Sequence, residues 1–427
     1  MFLRSFKLFA AMLVAVLLSV ACGGEAAPAP TGLVVTAGES TVTVSWDATP
    51  GVEYWLFFGP SSIAPTDTTS MQNWIGLIGG NVLLKVTSPY VVSGLANGVG
   101  YSFSVNGRTD GGPGGPGATP ASTTPRIAGS NWSVGPTNPP GSNDLRSVTY
   151  GATTATTTTA SVSNYVAAGK GGTLYSSLDA TTWSAINSNT TSNLNGAAYF
   201  GTFKLVGDNG IVLTSPDVTT WTAQTSATTQ NLYAITSNYS SLNVAVGANG
   251  TIITSPDGVT WTVATSPTTR DLYAVSYSNY NVGTNAAGTW IAVGASGTLV
   301  ESADGATWSL VASNTSADLH GVTYGTTDLT TGATAFVVVG SSGTVLSSVD
   351  GVTWTPQTVP GASSLNAVTY GAQFVAVGAG GNIITSTNGV TWTLVSPAPT
   401  GSDLYALVHG PYAYSAVGAA GTNLLSK

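Results

Sequence analysis

Seven positions in the later part of the chain combine ring faces with hydrogen-bonding groups: Arg146, Asn195, Tyr233, Tyr273, His320, Asn366 and Tyr405. Each follows a leucine and precedes a small residue (Ser147, Gly196, Ala234, Ala274, Gly321, Ala367 or Ala406). Stacking faces beside amide, imidazole and guanidinium groups are the chemistry that grips a sugar, a peptide or another polar ligand. The same side chains could instead pack between repeats and point their polar tips into water. Two positions before each small residue stands its leucine, and before that Asp144, Asn193, Asn231, Asp271, Asp318, Ser364 or Asp403. This outer column is expected to cap the turn that enters the following strand, or else to form a cation-attracting rim.

Other chemistries lack their residues. His320 and His409 are the only histidines, so no cluster has zinc-ligand spacing, and neither a metal nor a cofactor is expected. No Ser-His-Asp arrangement and no phosphate-cradling glycine loop is visible. Charged residues make up 7% of the chain, against roughly 25% in an average soluble protein. The net charge of −8 comes without any basic run after the first few residues, so no footprint for nucleic acid exists.

The elements that must position the seven residues come from a repeat. Its clearest copy runs Asp271-Leu-Tyr-Ala-Val-Ser, then Trp290-Ile-Ala-Val-Gly, then Gly297-Thr-Leu-Val-Glu-Ser-Ala-Asp-Gly-Ala-Thr-Trp308. Short alternating runs divided by turn residues read as four strands, a to d, of an antiparallel sheet. Strand a starts at Leu145, Leu194, Leu232, Leu272, Leu319, Leu365 and Leu404; a tryptophan opens strand d at Trp132, Trp183, Trp221, Trp261, Trp308, Trp354 and Trp392. The first copy is a strand d alone and the last has no strand d. The two ends are therefore expected to complete one blade, which makes residues 127–427 an all-β, seven-bladed β-propeller closed by its first and last strands.

Between strands c and d stand Ser255-Pro-Asp-Gly-Val-Thr-Trp261, Ser302-Ala-Asp-Gly-Ala-Thr-Trp308 and Ser348-Val-Asp-Gly-Val-Thr-Trp354, with three variants. These resemble the Asp-box of BNR, sialidase-like propellers, each one residue shorter than the family motif. Asp179, Asp217, Asp257, Asp304, Asp350 and Asn388 are read as structural, each satisfying backbone donors of its own turn. The resemblance extends to photosystem II assembly factor-type and WD40-YVTN-BNR-like repeat propellers. A sialidase would need three arginines, a tyrosine nucleophile with a glutamate, and an acid. The propeller has only Arg146 and Arg270, and Glu301 is its one glutamate. The sialidase activity is accordingly not implied.

Upstream, Thr41-Val-Thr-Val-Ser-Trp46 and Leu95-Ala-Asn-Gly-Val-Gly-Tyr101 resemble the core tryptophan strand and tyrosine corner of a fibronectin type III domain. The resemblance implies a β-sandwich over residues 31–112, with Ser61 to Ser88 departing from the pattern. Residues 113–126, rich in Gly and Pro, read as a linker, and 23–30 as a tether. Arg4 and Lys7 before an apolar run, Leu8 to Leu18, read as an export signal. Cys22, the single cysteine, follows that run in a way that resembles a bacterial lipoprotein signal over residues 1–22.

These readings imply a non-enzymatic, lipid-anchored binding or scaffold protein of the bacterial cell envelope, on the outer membrane's periplasmic side or the cell surface. Its membrane contact would run through Cys22, and its propeller would recognise a glycan or protein partner. The alternative is a glycosidase-like hydrolase using carboxylates on the face of the d-to-a loops, such as Asp271 and Asp318. Long a-to-b insertions at 151–164, 279–288 and 325–334 fall on the opposite face and offer a partner a second surface.

Overall fold

The computed structural model describes residues 26–65, 71–75, 80–135, 141–154, 161–238, 240–278, 288–328, 331–359, 361, 363–411 and 413–426. The export segment and Cys22 lie outside the described residues. Two compact units divide between Ile127 and Ala128.

The first unit is a sandwich. Strands β1 (Val34–Gly38), β2 (Thr41–Ser45) and β5 (Tyr90–Ser93) form one sheet; β4 (Asn81–Val86), β3 (Val52–Pro60), β6 (Tyr101–Thr109) and β7 (Ala121–Thr123) form the other, in those orders. Alternation decides the core, with Val42, Val44 and Trp46 meeting Tyr54, Leu56, Phe58, Phe103 and Val105. The Tyr101 hydroxyl accepts from Ala96 N–H at 3.2 Å, tying down the corner that precedes β6. In the atypical middle, Met71 and the short helix α1 (Gln72–Ile75) bring Trp74 onto the outer face of β3, over Trp55 and Phe57.

The Gly/Pro stretch 113–126 is not a free linker. Gly115 N–H donates to Gly107 O at 3.0 Å, Ala118 N–H to Val105 O at 2.8 Å, and β7 pairs with β6. A Cβ on Gly115 would lie 1.8 Å from Ala27 O, so this glycine permits a close backbone approach rather than flexibility. The tether also differs from its reading, since Ala26 bridges Arg108 and Ala27 is buried.

In the second unit seven four-stranded antiparallel sheets follow one another around a ring. Their first strands are β9 (Leu145–Ala152), β13 (Leu194–Phe200), β17 (Leu232–Ser237), β21 (Leu272–Ser278), β25 (Leu319–Asp328), β29 (Leu365–Tyr370) and β33 (Leu404–His409). Each packs against the next, and β33 against β9. The second strands are buried along most of their length, and Asn243–Gly247 along all of it, because a blade is covered on both faces by its neighbours. Cores form between sheets: Val244 and Val246 of the third pack with Leu272 and Trp290 of the fourth.

The seventh sheet is completed from the other end of the ring. Strand β8 (Ser133–Val134) pairs with β35 (Asn423–Ser426) in the register Leu424↔Val134 and Leu425↔Ser133. Ser426 Oγ accepts from Gly129 N–H at 2.8 Å and donates to Asn131 O. At the same seam Asn423 Nδ2 donates 3.0 Å to Ala180 O. In five other sheets the equivalent carbonyl accepts from the strand-d tryptophan; here Trp183 Nε1 is left without a partner among the described residues.

Candidate functional site at the channel mouth

All seven residues of the inner column are the extra residue of a β-bulge. In every first strand the register jumps across them, as from Leu272↔Gly294 to Ala274↔Val293 around Tyr273. The same jump occurs at Arg146, Asn195, Tyr233, His320, Asn366 and Tyr405. A bulge re-aims its side chain away from the pleat, and here that brings side chains from seven sheets to one cavity of about 220 Å³.

Most of the polar members lean onto the next sheet. Arg146 Nη1 donates to Asn195 Oδ1 at 2.8 Å; Asn195 Nδ2 donates to Asp208 Oδ1 at 2.8 Å and to Leu232 O at 3.0 Å. Asn366 Nδ2 donates to Leu404 O at 2.8 Å. His320 Nδ1 lies 3.0 Å from Leu365 O, which as a carbonyl can only accept, so Nδ1 carries the proton. Tyr233, Tyr273 and His320 form a run of rings, with centroids 5.7 and 5.8 Å apart. Burial, then the Asp271 carboxylate, push the Tyr233 and Tyr273 hydroxyls above their ordinary range. Thus the column both joins blades and lines a mouth; the two readings of the sequence are compatible in one set of side chains.

The outer column does not cap the strand that follows it. Its side chains reach back to the preceding sheet, where each accepts from the middle N–H of the turn between strands b and c. Asn193 accepts from Gly171, Asn231 from Asn209, Asp271 from Asn249, Asp318 from Ser296, Ser364 from Ser342, Asp403 from Gly380 and Asp144 from Ala420, at 2.7 to 3.1 Å. The same residues' carbonyls accept from the first N–H of their own sheet's turn, as Asp144 O does from Lys170 N–H at 2.9 Å. Each is therefore a latch between two blades, and Asp144 with Ala420 closes the circle. Asp271 and Asp318, the hydrolase candidates, each have one carboxylate oxygen in such a latch. No group of three or more metal-ligating side chains occurs among the described residues.

The turns between strands c and d carry the second repeated motif. Asp257 Oδ1 accepts from Val259 and Thr260 N–H, each at 2.8 Å, and from Ser255 Oγ at 2.9 Å. Asp179, Asp217, Asp304, Asp350 and Asn388 repeat the pattern. These bonds hold Asp257 at about 2, and at Asp179 hydrogen bonds outweigh burial to give about 2 as well. A carboxylate depressed in the folded state contributes stability above its unfolded pKa, near 4, and loses it as pH falls toward 2. Thermal melts between pH 5 and 2 should therefore show a falling melting temperature. Asp257→Asn should flatten that slope, because the amide oxygen still accepts, as Asn388 already does.

Glu301 stands half-buried in strand c of the fourth sheet, its carboxyl pushed up by burial and by Asp350. Of the three insertions, 325–334 extends the two strands of the fifth sheet, with Thr326↔Thr334 paired; 155–160, 279–287 and 329–330 lie outside the described residues. Sequence reasoning missed the bulges, the direction of the latches, and Ser147. Ser147 is among the residues that line the mouth and is 5% exposed, and its buried hydroxyl has no partner among the described residues.

No family model matches the sequence, and no curated protein matches it. Solved structures match in fold. YCF48 bound to a D1 peptide is 16% identical with a TM-score of 0.54, over 69% of this chain and 94% of that one. YCF48 from Cyanidioschyzon merolae is 15% identical with a TM-score of 0.50, over 69% and 98%. The WD40 β-propeller domain of Doa1 is 11% identical with a TM-score of 0.50, over 70% and 97%. At such identities the likeness concerns the fold alone, and it shows that this chain carries a β-propeller.

Proposed function

We propose that the chain is a non-enzymatic binding or scaffold protein whose propeller recognises a protein partner at the channel mouth. The observation that carries this reading is the convergence of seven bulge side chains, one from each sheet, on a single cavity. Joining blades accounts for the polar groups of Arg146, Asn195, His320 and Asn366, whereas the rings of Tyr233 and Tyr273 add faces that a ligand can use. The solved structure of YCF48 with a D1 peptide favours a polypeptide ligand over a glycan. The sandwich acts as a fibronectin type III-like spacer, and the seven-bladed, Asp-box propeller is presented in the cell envelope through a lipid on Cys22.

Peptide and glycan arrays probed with residues 26–427 test the mouth. For a ligand found there, Tyr273→Ala should weaken binding by roughly 1 to 3 kcal/mol, the range for a truncated aromatic contact. Binding that survives this change untouched would move the site away from the mouth, toward the insertions of the opposite face.

A further inference from the structure

Charge and shape at the mouth say more about the ligand. Asp144, Asp208, Asp271, Asp318 and Asp403 stand in the outer column or in the b-to-c turns around the mouth, against Arg146, Lys170 and Arg270. None of these eight is in an ion pair among the described residues, where the recorded pair is Lys85 with Glu53 in the sandwich. Arg146 is also tied to a carboxylate already, through Asn195 to Asp208. The carboxylates are spread around the mouth, and two of them, Asp271 and Asp318, stand beside the run of rings. Asp271 stands close enough to raise both Tyr233 and Tyr273, and Asp318 also raises Tyr273, though burial is the larger cause for each. Ser147 is among the lining residues, though its hydroxyl is itself buried and without a partner among the described residues. At about 220 Å³ the space is below the roughly 300 to 1,000 Å³ that holds a drug-sized ligand, and its size suits a single side chain.

We infer that the mouth takes the ammonium or guanidinium group of a lysine or arginine presented by a partner polypeptide. The cation lies against the Tyr233 and Tyr273 faces, near the Asp271 and Asp318 carboxylates. Ring quadrupoles and carboxylates both favour positive charge, and a partly desolvated site strengthens both. This inference rests on the mouth being the binding site.

The probes are N-acetyl-lysine amide, N-acetyl-arginine amide and N-acetyl-glutamate amide, titrated into residues 26–427 and followed by NMR or calorimetry. The two cationic probes should bind, more weakly as salt rises, and the glutamate probe should not. The decisive variant is Asp271→Asn with Asp318→Asn. Asn193 and Asn231 already fill the same column, so the latches and the melting temperature should persist while affinity for the cations falls roughly tenfold. If Tyr273→Ala abolishes cation binding but the double asparagine variant does not, the mouth stands as the site and the part assigned to the Asp271 and Asp318 carboxylates is refuted. If the glutamate probe binds as well as the lysine probe, the cationic ligand is likewise refuted. If neither variant alters cation binding, the site itself is refuted.

Discussion

Deleting residues 129–135 is expected to lower the melting temperature of the propeller by about 10 °C or more. The deletion removes β8 from the seventh sheet and, with it, Trp132, which packs against the cluster of Leu404, Leu407, Tyr414 and Leu424. Trp132 lies 6.4 Å from the Tyr414 ring, centroid to centroid, and donates Nε1 to Gly129 O at 2.7 Å. Removal of a tryptophan from such a cluster costs about 3 to 5 kcal/mol, before the lost strand bonds are counted. In a domain this large each kcal/mol corresponds to roughly 2 °C. A melting curve that does not move would show that the ring is held shut without its first strand.

Gly297→Ala and Ala420→Gly should act in opposite directions on the same kind of turn. Gly297 ends the b-to-c turn of the fourth sheet at φ +70°, and a Cβ there would lie 1.9 Å from Thr315 O. Neither the dihedral nor the carbonyl can yield without opening the adjoining loop, so the loss should be on the order of 3 to 5 kcal/mol. Ala420 holds the middle of the seventh turn at φ +51°, where Gly171 and Gly380 stand in other sheets. Its N–H must keep that orientation to reach Asp144. Glycine relieves the strain and should stabilise by about 0.4 to 1 kcal/mol. Chemical denaturation of both variants checks the pair; equal effects would mean that the turns do not constrain their residues.

The columns of leucine and tryptophan made the four-stranded repeat legible, and the two incomplete copies made the shared sheet legible. Both signals are local in sequence, since each strand's alternation is set by its own burial. What stayed hidden depends on neighbours in space. Asp271 reads as a cap because it precedes a strand, yet its donor is Asn249, in the preceding repeat. Tyr273 could be picked as part of a column, but the bulge that aims it appears only in the register with strand b. The stretch from Gly111 to Pro125 looked like a spacer because glycine is used both where a chain is loose and where two backbones touch. Only the proximity of Ala27 to Gly115 separates the two.

The pairing of β8 with β35 also sets an order of events during folding. Gly129 and Ser426, which bond directly, are 297 residues apart. The six other sheets are each contiguous in sequence and can form while the chain is still emerging. The seventh must wait for its last three strands, and until then β8 is a solitary strand seeking an edge. Its exposure to wrong partners is limited by its length of two residues. A longer first strand would hold the ring more firmly but would invite the half-made propeller to pair with another copy of itself. The short strand therefore trades grip for safety in the interval before closure.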